Sequence, residues 1–474
     1  MSLNADKNIE NAYDFDPTIL RAYDIRGIIG ETLSDDDAYA LGRSYASYLF
    51  SKNNNKKLRI AVAYDGRLSS PSLEKNLVEG LKDSGVSVIR VGLCPTPMLY
   101  FSVRSMELNG GIMITGSHNP PSHNGFKMML DKAALFGDEI QKLGEIAKNG
   151  LFVSGNGSEE KIDIFEEYLE TVLSSLELSK HKRDLKIAWD SGNGAAGEVM
   201  EKLTQRMKGE HILLNEKIDG TFPAHHPDPS EPENLEQLID EVIKNKCDIG
   251  IAFDGDGDRI GAIDSKGRIL WGDQLVYLYA KDVLEENPGA TVIADVKASQ
   301  VLFEKIAEMG GDPLIWKTGH SFIKDKMAET GAKLAGEMSG HIFFADKYYG
   351  FDDGLYAAIR LINIVSKSDK TLVEMIDEYP QVFNTPEIRI DVTEERKFAI
   401  IDEIKQRLND SGTKYSDIDG ARVMKEKGWW LIRASNTQAC LVARCEADSE
   451  TDLAKMKNDL KAQLSESGIE INLQ

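Results

Sequence analysis

The sequence predicts an α/β protein: three related units, each with helices against a mixed sheet, followed by a C-terminal α+β unit of a different kind. Three observations predict it. Short apolar strands alternate with helix-period segments from residue 20 onward. Several of these strands close on an acidic turn. Strand 58–64 meets Asp65, and strands 185–189, 247–253 and 290–294 meet Asp190, Asp254 and Asp295 in what reads as three successive segments. Past residue 380 the pattern changes, with strands at 388–392, 421–424, 429–433 and 439–444 interleaved with helices at 395–408 and 449–466.

Within the first unit, Ser34 followed by Asp35, Asp36 and Asp37 marks a helix start, because acidic first turns complement the helix dipole. A loop at 51–57, a helix at 72–84, a strand at 86–91 and a Pro-rich turn at 94–97 lead to the apolar run 111–114. Unit boundaries belong in polar, Gly-rich stretches at 150–160, 264–267 and 379–386. The expected units are therefore 1–156, 157–264, 265–380 and 381–474.

A chain of 474 residues with 41% hydrophobic content holds roughly three to four domains of ~100–150 residues. The net charge of -22 argues against nucleic acid or an anionic membrane as partner, since attraction to phosphate backbones needs a basic surface. An anionic substrate must then meet locally concentrated cations. Cys94, Cys247, Cys440 and Cys445 make no CxxC or zinc spacing and read as small buried hydrophobes. Residues 1–17 are polar, with no signal-like apolar segment, and no run approaches the ~18 apolar residues of a membrane helix. A soluble, cytoplasmic protein is expected.

After strand 111–114, Gly116 and Pro120 break the chain, so Ser117 is expected on a tight exposed loop. A hydroxyl beside His118 and ten residues before Lys127 has the parts of an activated nucleophile with cationic help. The second dense stretch is Asp254-Gly255-Asp256-Gly257-Asp258-Arg259. In extended backbone residues i, i+2 and i+4 face one way, so three carboxylates converge and call for a cation. An all-oxygen set favours Mg²⁺ over zinc. A calcium loop is rejected because Arg259 stands where it needs glycine and Ser265 where it needs glutamate.

Glu337 and Ser339 leave a strand at 332–335 and, if extended, face one side in a way that suits two sugar hydroxyls; Lys297, Lys317 and His320 lie upstream. Arg433-Ala434-Ser435-Asn436-Thr437 falls between two strands and offers a guanidinium, hydroxyls, an amide and turn N–H groups, a phosphate cradle. His225-His226 sits in a Pro-rich loop and reads as packing.

With T-G-S-H-N-P, D-G-D-G-D-R, G-E-M-S-G-H and R-A-S-N-T in this order, nearly the whole chain resembles the α-D-phosphohexomutase superfamily, specifically bacterial phosphomannomutase/phosphoglucomutase. The resemblance implies four domains around a central cleft. It makes Ser117 the phosphorylated serine. Asp254, Asp256 and Asp258 would hold one Mg²⁺, with a phosphoserine oxygen as a further ligand and Arg259 neutralising charge beside it. Glu337, Met338, Ser339, Gly340 and His341 would read the sugar, and Arg433, Ser435, Asn436 and Thr437 would grip the non-reacting phosphate. Tyr23, Arg26, His118, Lys127, Lys297 and His320 would line the cleft, with Arg26, His118, Lys127 and His341 on the catalytic side and Lys127 and His341 as proton-transfer candidates.

The implied reaction interconverts hexose 1-phosphate and hexose 6-phosphate, of mannose or glucose, through a hexose 1,6-bisphosphate, with glucose 1,6-bisphosphate as activator. The partners implied are small sugar phosphates, and the chain is expected as a monomer or weak dimer. Gly116 departs from the alanine of many members, which is expected to loosen the loop slightly. A serine hydrolase is the first rival, but it lacks a G-x-S-x-G elbow, adjacent residues at a strand end point apart, and it leaves the aspartates unexplained. A non-catalytic sugar-phosphate sensor needs no metal-bound nucleophile. Phosphoglucosamine mutase is disfavoured by Met338 in the sugar loop, on the resemblance alone.

Overall fold

The structure is a computed structural model that describes residues 12–53, 57–436 and 438–471. Most of the polar N-terminal stretch and Thr437 lie outside the described residues.

The described strands form four sheets, and the first three repeat one arrangement. In each, two parallel strands flank a first strand, and the last of the trio turns back as an antiparallel hairpin. In the first sheet Arg59–Tyr64 lies between Ser87–Leu93 and Gly110–Ile114, and Gly110–Ile114 pairs antiparallel with His123–Leu130. In the second, Lys186–Asp190 lies between Glu210–Leu214 and Ile249–Phe253, which turns back into Ile260–Asp264. In the third, Thr291–Asp295 lies between Asp312–Trp316 and Leu334–Gly336, which turns back into Ile342–Phe344. The parallel pairs are joined through helices, as parallel strands require.

Two expectations change here. The Asp190 and Asp254 strands are neighbours in one sheet, so they do not mark successive units. The equivalent positions are Asp65, Asp190 and Asp295, each at the end of the first strand. Both kinds of strand are short, apolar and acid-terminated, so local sequence cannot separate them. In addition, the polar stretch expected as a linker ends in a short strand, Ser158–Lys161, which pairs parallel with Ser87–Leu93 at the edge of the first sheet.

Helix Asp35–Lys52 starts as expected, with Ser34 and Asp37 in a reciprocal capping box. It packs with Ser70–Asp83 and Asp138–Lys148 on one face of the first sheet, around Leu41, Tyr45, Leu49, Leu77 and Ile140. The opposite face belongs to a core that continues through the second and third units, from Ala61, Leu99 and Met113 by way of Tyr168, Trp189 and Phe253 to Leu275, Ala294 and Leu355. Three units therefore share one continuous apolar interior. The fourth sheet is antiparallel, with Cys440–Ala447 paired to Gly428–Ala434, Ile388–Asp391 and Phe383–Asn384. It is covered by Glu394–Asp410 and Glu450–Glu466 around a core of its own. Its apolar contact with the third unit is the small cluster Val296, Trp429 and Leu431. All four cysteines are buried and unpaired. No helix among the described residues is long and apolar enough to cross a membrane.

Candidate active site

The three equivalent hairpins each end on a loop that carries chemistry. Residues 115–122 bear Ser117, residues 254–259 bear the aspartates, and residues 337–341 bear Glu337, Ser339 and His341. Backbone contacts knit them together. Ile260 N–H donates to the Gly340 carbonyl at 3.0 Å, Arg259 and His341 form an antiparallel bridge, and Thr96 N–H donates to the Asp256 carbonyl at 2.8 Å. A Cβ on Gly255 would lie 2.4 Å from the Ser117 carbonyl oxygen, so only glycine lets the first two loops touch.

Ser117 is buried, not exposed as expected, and has a left-handed φ of 48°. Its Oγ donates to Asp254 Oδ2 at 2.8 Å and lies 3.1 Å from His118 Nδ1. The expectation that the two neighbouring side chains point apart therefore fails: the positive φ rotates Oγ back over the imidazole. Burial first, and Arg259 second, push the His118 pKa well below its ordinary value, which leaves a neutral ring beside the hydroxyl.

Asp254, Asp256 and Asp258 are fully buried, with an oxygen of each within 4.8 Å of the others. They do not converge by extended alternation. The segment is a turn, closed by Gly257 N–H on the Asp254 carbonyl at 3.1 Å, with Gly257 at φ 74°. Lys127 Nζ donates to Asp256 Oδ2 at 2.7 Å and to Asp258 Oδ2, and Thr96 Oγ1 donates to Asp256 at 2.5 Å. Burial and the other two carboxylates raise Asp254 well above its usual range, and burial with Asp256 raises Asp258. Burial also pushes Asp256 up, but Lys127 and Thr96 outweigh it and hold it low. Lys127 in turn is raised, since three aspartates overcome its desolvation. Asp256 Oδ1 and Asp258 Oδ1 stay buried with no hydrogen-bond partner. Two orphaned hard oxygens, in a cluster whose three carboxylates exceed the charge of Lys127 and Arg259, fit a divalent cation such as Mg²⁺.

Arg259 Nε donates to His341 Nε2 at 3.0 Å and its backbone N–H donates to Asp254 Oδ1 at 3.2 Å. His341 Nε2 must then accept, so Nδ1 carries the proton; it lies 3.0 Å from Asp352 Oδ2, but neither atom makes a hydrogen bond among the described residues. The neighbouring trio Asp258, His341 and Asp352 is for that reason ill-suited to a metal in this arrangement. His320 stacks on His341 with centroids 5.4 Å apart, and Lys324 lies 3.2 Å from its Nδ1. Burial and Lys324 push the His320 pKa well down.

Glu337 and Ser339 also lie on a turn rather than an extended segment, with Gly340 N–H donating to the Glu337 carbonyl at 3.0 Å. Glu337 is buried and accepts from Gly319 N–H at 2.6 Å, while Met338 and Ser339 are half-buried. Arg26 donates to Asp24 at 2.5 Å and to Asn119 of the serine loop at 3.0 Å. Tyr23 donates to the Thr318 carbonyl at 2.7 Å and accepts from Asn436. The fourth unit's loop thereby touches Tyr23 of the first unit, which in turn touches the third. Buried Arg433 donates from Nε to Asp419 at 2.8 Å while its Nη2 finds no partner among the described residues, and Ser435 Oγ accepts from Gln438 N–H at 3.1 Å. Lys297 pairs with Glu387 at 2.9 Å and Asp295 at 3.7 Å.

Sequence reasoning passed over Asp65, Arg67, Thr96, Asp228, Asp352 and Glu387, all of which touch residues named above. The signal for Arg67 was present, since Asp65-Gly66-Arg67 closes a strand as Asp190 and Asp295 do. Gly116 also reads differently. A Cβ there would lie 2.5 Å from Arg67 Cζ, so the glycine admits a guanidinium instead of loosening the loop.

Four domain families match the chain in order. They are phosphoglucomutase/phosphomannomutase alpha/beta/alpha domain I over residues 17–153, domain II over 166–267, domain III over 271–383 and the C-terminal domain over 387–463. The chain is 45% identical over 448 residues to the phosphomannomutase/phosphoglucomutase of Pseudomonas aeruginosa, spanning 94% of this chain and 95% of the relative.

The chain belongs to the phosphoglucomutase/phosphomannomutase family.

The mutase is also 46% identical over 448 residues to the phosphoglucomutase of Neisseria meningitidis, spanning 94% and 96% of the two chains. A phosphoglucomutase/phosphomannomutase family protein of Burkholderia thailandensis superposes with a TM-score of 0.90 at 41% identity, covering 97% of this chain and 99% of that one. The enzyme is thus a hexose-phosphate mutase, an isomerase acting on sugar phosphates.

Two variants test the geometry. Gly255→Ala is expected to lower kcat by about 100-fold with little change in KM, because it forces the serine and aspartate loops apart by a fraction of an ångström; steady-state kinetics check it. Glu387 provides a pH test. Lys297 foremost, against burial, holds its carboxyl at about 2 instead of 4.5. A depressed acid stabilises above its unfolded value and loses that stabilisation as pH falls through its folded one. The wild type is therefore expected to lose about 1 kcal/mol between pH 4.5 and 2 that Glu387→Gln lacks throughout. Melting temperatures against pH should converge at the acid end.

Proposed function

We propose that this mutase interconverts hexose 1- and 6-phosphates of mannose, glucose or both through a phosphoserine at Ser117 and a bound hexose 1,6-bisphosphate. The observation that carries the reading is the 2.8 Å contact of Ser117 Oγ with Asp254 inside a cluster of three fully buried carboxylates. A hydroxyl held there is placed for phosphoryl transfer, which needs positioning and charge neutralisation more than covalent help.

In the proposed cycle phosphoserine gives its phosphoryl group to the free sugar hydroxyl. The P–Oγ bond breaks as the P–O bond to the sugar forms, and the hydroxyl proton leaves to a nearby base. The bisphosphate turns over, its second phosphoryl group passes to Ser117, and hexose 6-phosphate departs. Lys127, kept protonated by its aspartates, supplies positive charge at the reacting end, and its Nζ is the proton-transfer candidate there for the leaving oxygen. Neutral His118 suits taking the proton of Ser117 when the serine is the acceptor. His341, oriented by Arg259 and lying beside Asp352, is the corresponding candidate toward the sugar. Arg26 fixes the serine loop through Asn119.

Glu337, Met338, Ser339 and Gly340 would meet the sugar hydroxyls. Arg433, Ser435, Asn436 and Lys297, with Thr437, would grip the resting phosphate, and Tyr23 and His320 would line the passage between. The unpartnered Nη2 of Arg433 supports that role. Asp254, Asp256 and Asp258, with an oxygen of Ser117, would hold Mg²⁺. Bound there, the ion would neutralise charge on the transferring phosphoryl group. Glucose 1,6-bisphosphate is the proposed activator because it can phosphorylate Ser117 directly. The separate core of the fourth unit supports a closing movement that keeps water from the phosphoserine. We propose a cytoplasmic monomer or weak dimer.

Incubation with glucose 1,6-bisphosphate is expected to add one phosphate (about 80 Da) to the intact mass, and Ser117→Ala to abolish the gain; a gain surviving in that variant refutes the assignment. Dialysis against EDTA should lower turnover at least about 100-fold, reversibly by Mg²⁺, and Mg²⁺ at 100 times its dissociation constant should add about 2.7 kcal/mol of stability in thermal melts. Asp256→Asn should lose that increment. Initial rates with mannose and glucose phosphates then rank the two sugars.

A further inference from the structure

We infer that Arg67 is the positioning residue for the nucleophile: its guanidinium sets the conformation of the serine loop and through it the aim of Ser117 Oγ. This rests on the reading of Ser117 as the phosphoryl acceptor. Arg67 lies in the loop just past the strand Arg59–Tyr64, its side chain is fully buried, and all its guanidinium nitrogens are engaged. Nη2 donates to the carbonyls of Ser117 at 2.7 Å and Asn119 at 2.5 Å. Nη1 donates to those of Pro120 at 2.6 Å and His123 at 2.9 Å, and Nε donates to Asp65 at 3.2 Å.

Three carbonyl oxygens of the serine loop, and that of His123 where the next strand begins, thus converge on one cation. Pro120 also accepts from His123 N–H at 2.9 Å, but without the guanidinium the converging dipoles repel and the Ser117 and Asn119 carbonyls lose their donor, which favours an opened loop. A non-glycine residue keeps a left-handed φ only where its surroundings over-determine it, and the Ser117 carbonyl is one of the four that the clamp holds. Asp65 completes the frame by accepting from Thr115 Oγ1 at 2.8 Å and Gly116 N–H at 3.2 Å, and Thr115 Oγ1 accepts in turn from Ser117 N–H at 2.8 Å. The Phe222 ring of the second unit covers the guanidinium, with its centroid 5.2 Å from Cζ. The clamp is therefore shielded from water by the unit that carries the aspartates.

A lysine can keep the charge but cannot reach four carbonyls with a planar fork. Arg67→Lys is expected to lower kcat, and the rate at which glucose 1,6-bisphosphate adds phosphate, by about 100-fold, with KM within about twofold, because the proposed sugar contacts lie on other loops. In Arg67→Ala, millimolar guanidinium should restore kcat at least about tenfold where ammonium does not. A folded Arg67→Lys enzyme with kcat within about threefold of wild type, or with KM rising as far as kcat falls, overturns the inference. So does the absence of guanidinium rescue in a folded Arg67→Ala enzyme. Should both variants fail to fold, Phe222→Leu decides. It leaves every clamp bond in place but thins the cover, and an unchanged kcat overturns the inference where a fall of about fivefold supports it. Wild-type protein that gains no phosphate at Ser117 would instead overturn the phosphoserine reading and leave the clamp geometry standing.

Discussion

Three carboxylates confined within 4.8 Å of one another, with no water access, are the constraint on which the rest of this structure depends. At an effective dielectric of about 20 each pair of full charges that close repels by roughly 3 kcal/mol, so the trio would cost about 10 kcal/mol. That is of the order of a domain's whole net stability of ~5–15 kcal/mol. The chain must bring cations to this point. Lys127 arrives from the hairpin of the first unit and Arg259 continues the aspartate turn, where its Nε also holds the neutral His341 of the third unit. Charge still falls short, and two carboxylate oxygens remain without partners. A site left electrically incomplete by the protein is one a divalent cation and a phosphorylated hydroxyl can complete.

The convergence is a product of topology. One strand arrangement occurs three times, and each copy has its loop in the same place, between the third strand and its antiparallel return. Packing the three copies around one apolar core turns those loops toward each other. The contact between the serine and aspartate loops is then so close that a single methyl group at Gly255 would not fit. Repetition gives three similar loops; what distinguishes them is which side chains each presents to the common centre.

Much of this was legible in the sequence, because apolar runs bounded by Gly, Pro and Asp fix where strands end, and function here sits at strand ends. Ser117, the three aspartates, Glu337 and Arg433 were singled out that way, and the structure brings the serine onto the aspartates. What escaped was geometry set by distant parts of the chain. The aspartates meet through a turn with a left-handed Gly257, which the alternation of Asp and Gly permits but does not specify. His118 meets Ser117 because φ at 117 is positive, a state no local preference of serine would suggest. Arg67 lies fifty positions upstream of the loop it holds, so its role emerges only once the two strands are neighbours. The mistaken equivalence of Asp190 with Asp254 has the same origin: strand identity is a property of the sheet.

Apolar contact is distributed unequally among the units, and the proposed phosphate grip lies on the one that shares least of it. The first three units share an interior, so relative motion among them would expose apolar surface and disturb the carboxylate cluster. The fourth is joined to the third by a small apolar cluster, Val296, Trp429 and Leu431 with Ile315 and Ile418 against it, and by polar ties such as Lys297 with Glu387 and Arg444 with the Lys297 carbonyl. Polar ties break into water at little net cost, whereas apolar area does not. Arg433 and Lys297 are meanwhile paired with Asp419 and Glu387, anions that a substrate phosphate would have to displace. Binding at the proposed grip would then trade protein carboxylate for substrate phosphate at the joint that shares least apolar interior with the carboxylate cluster.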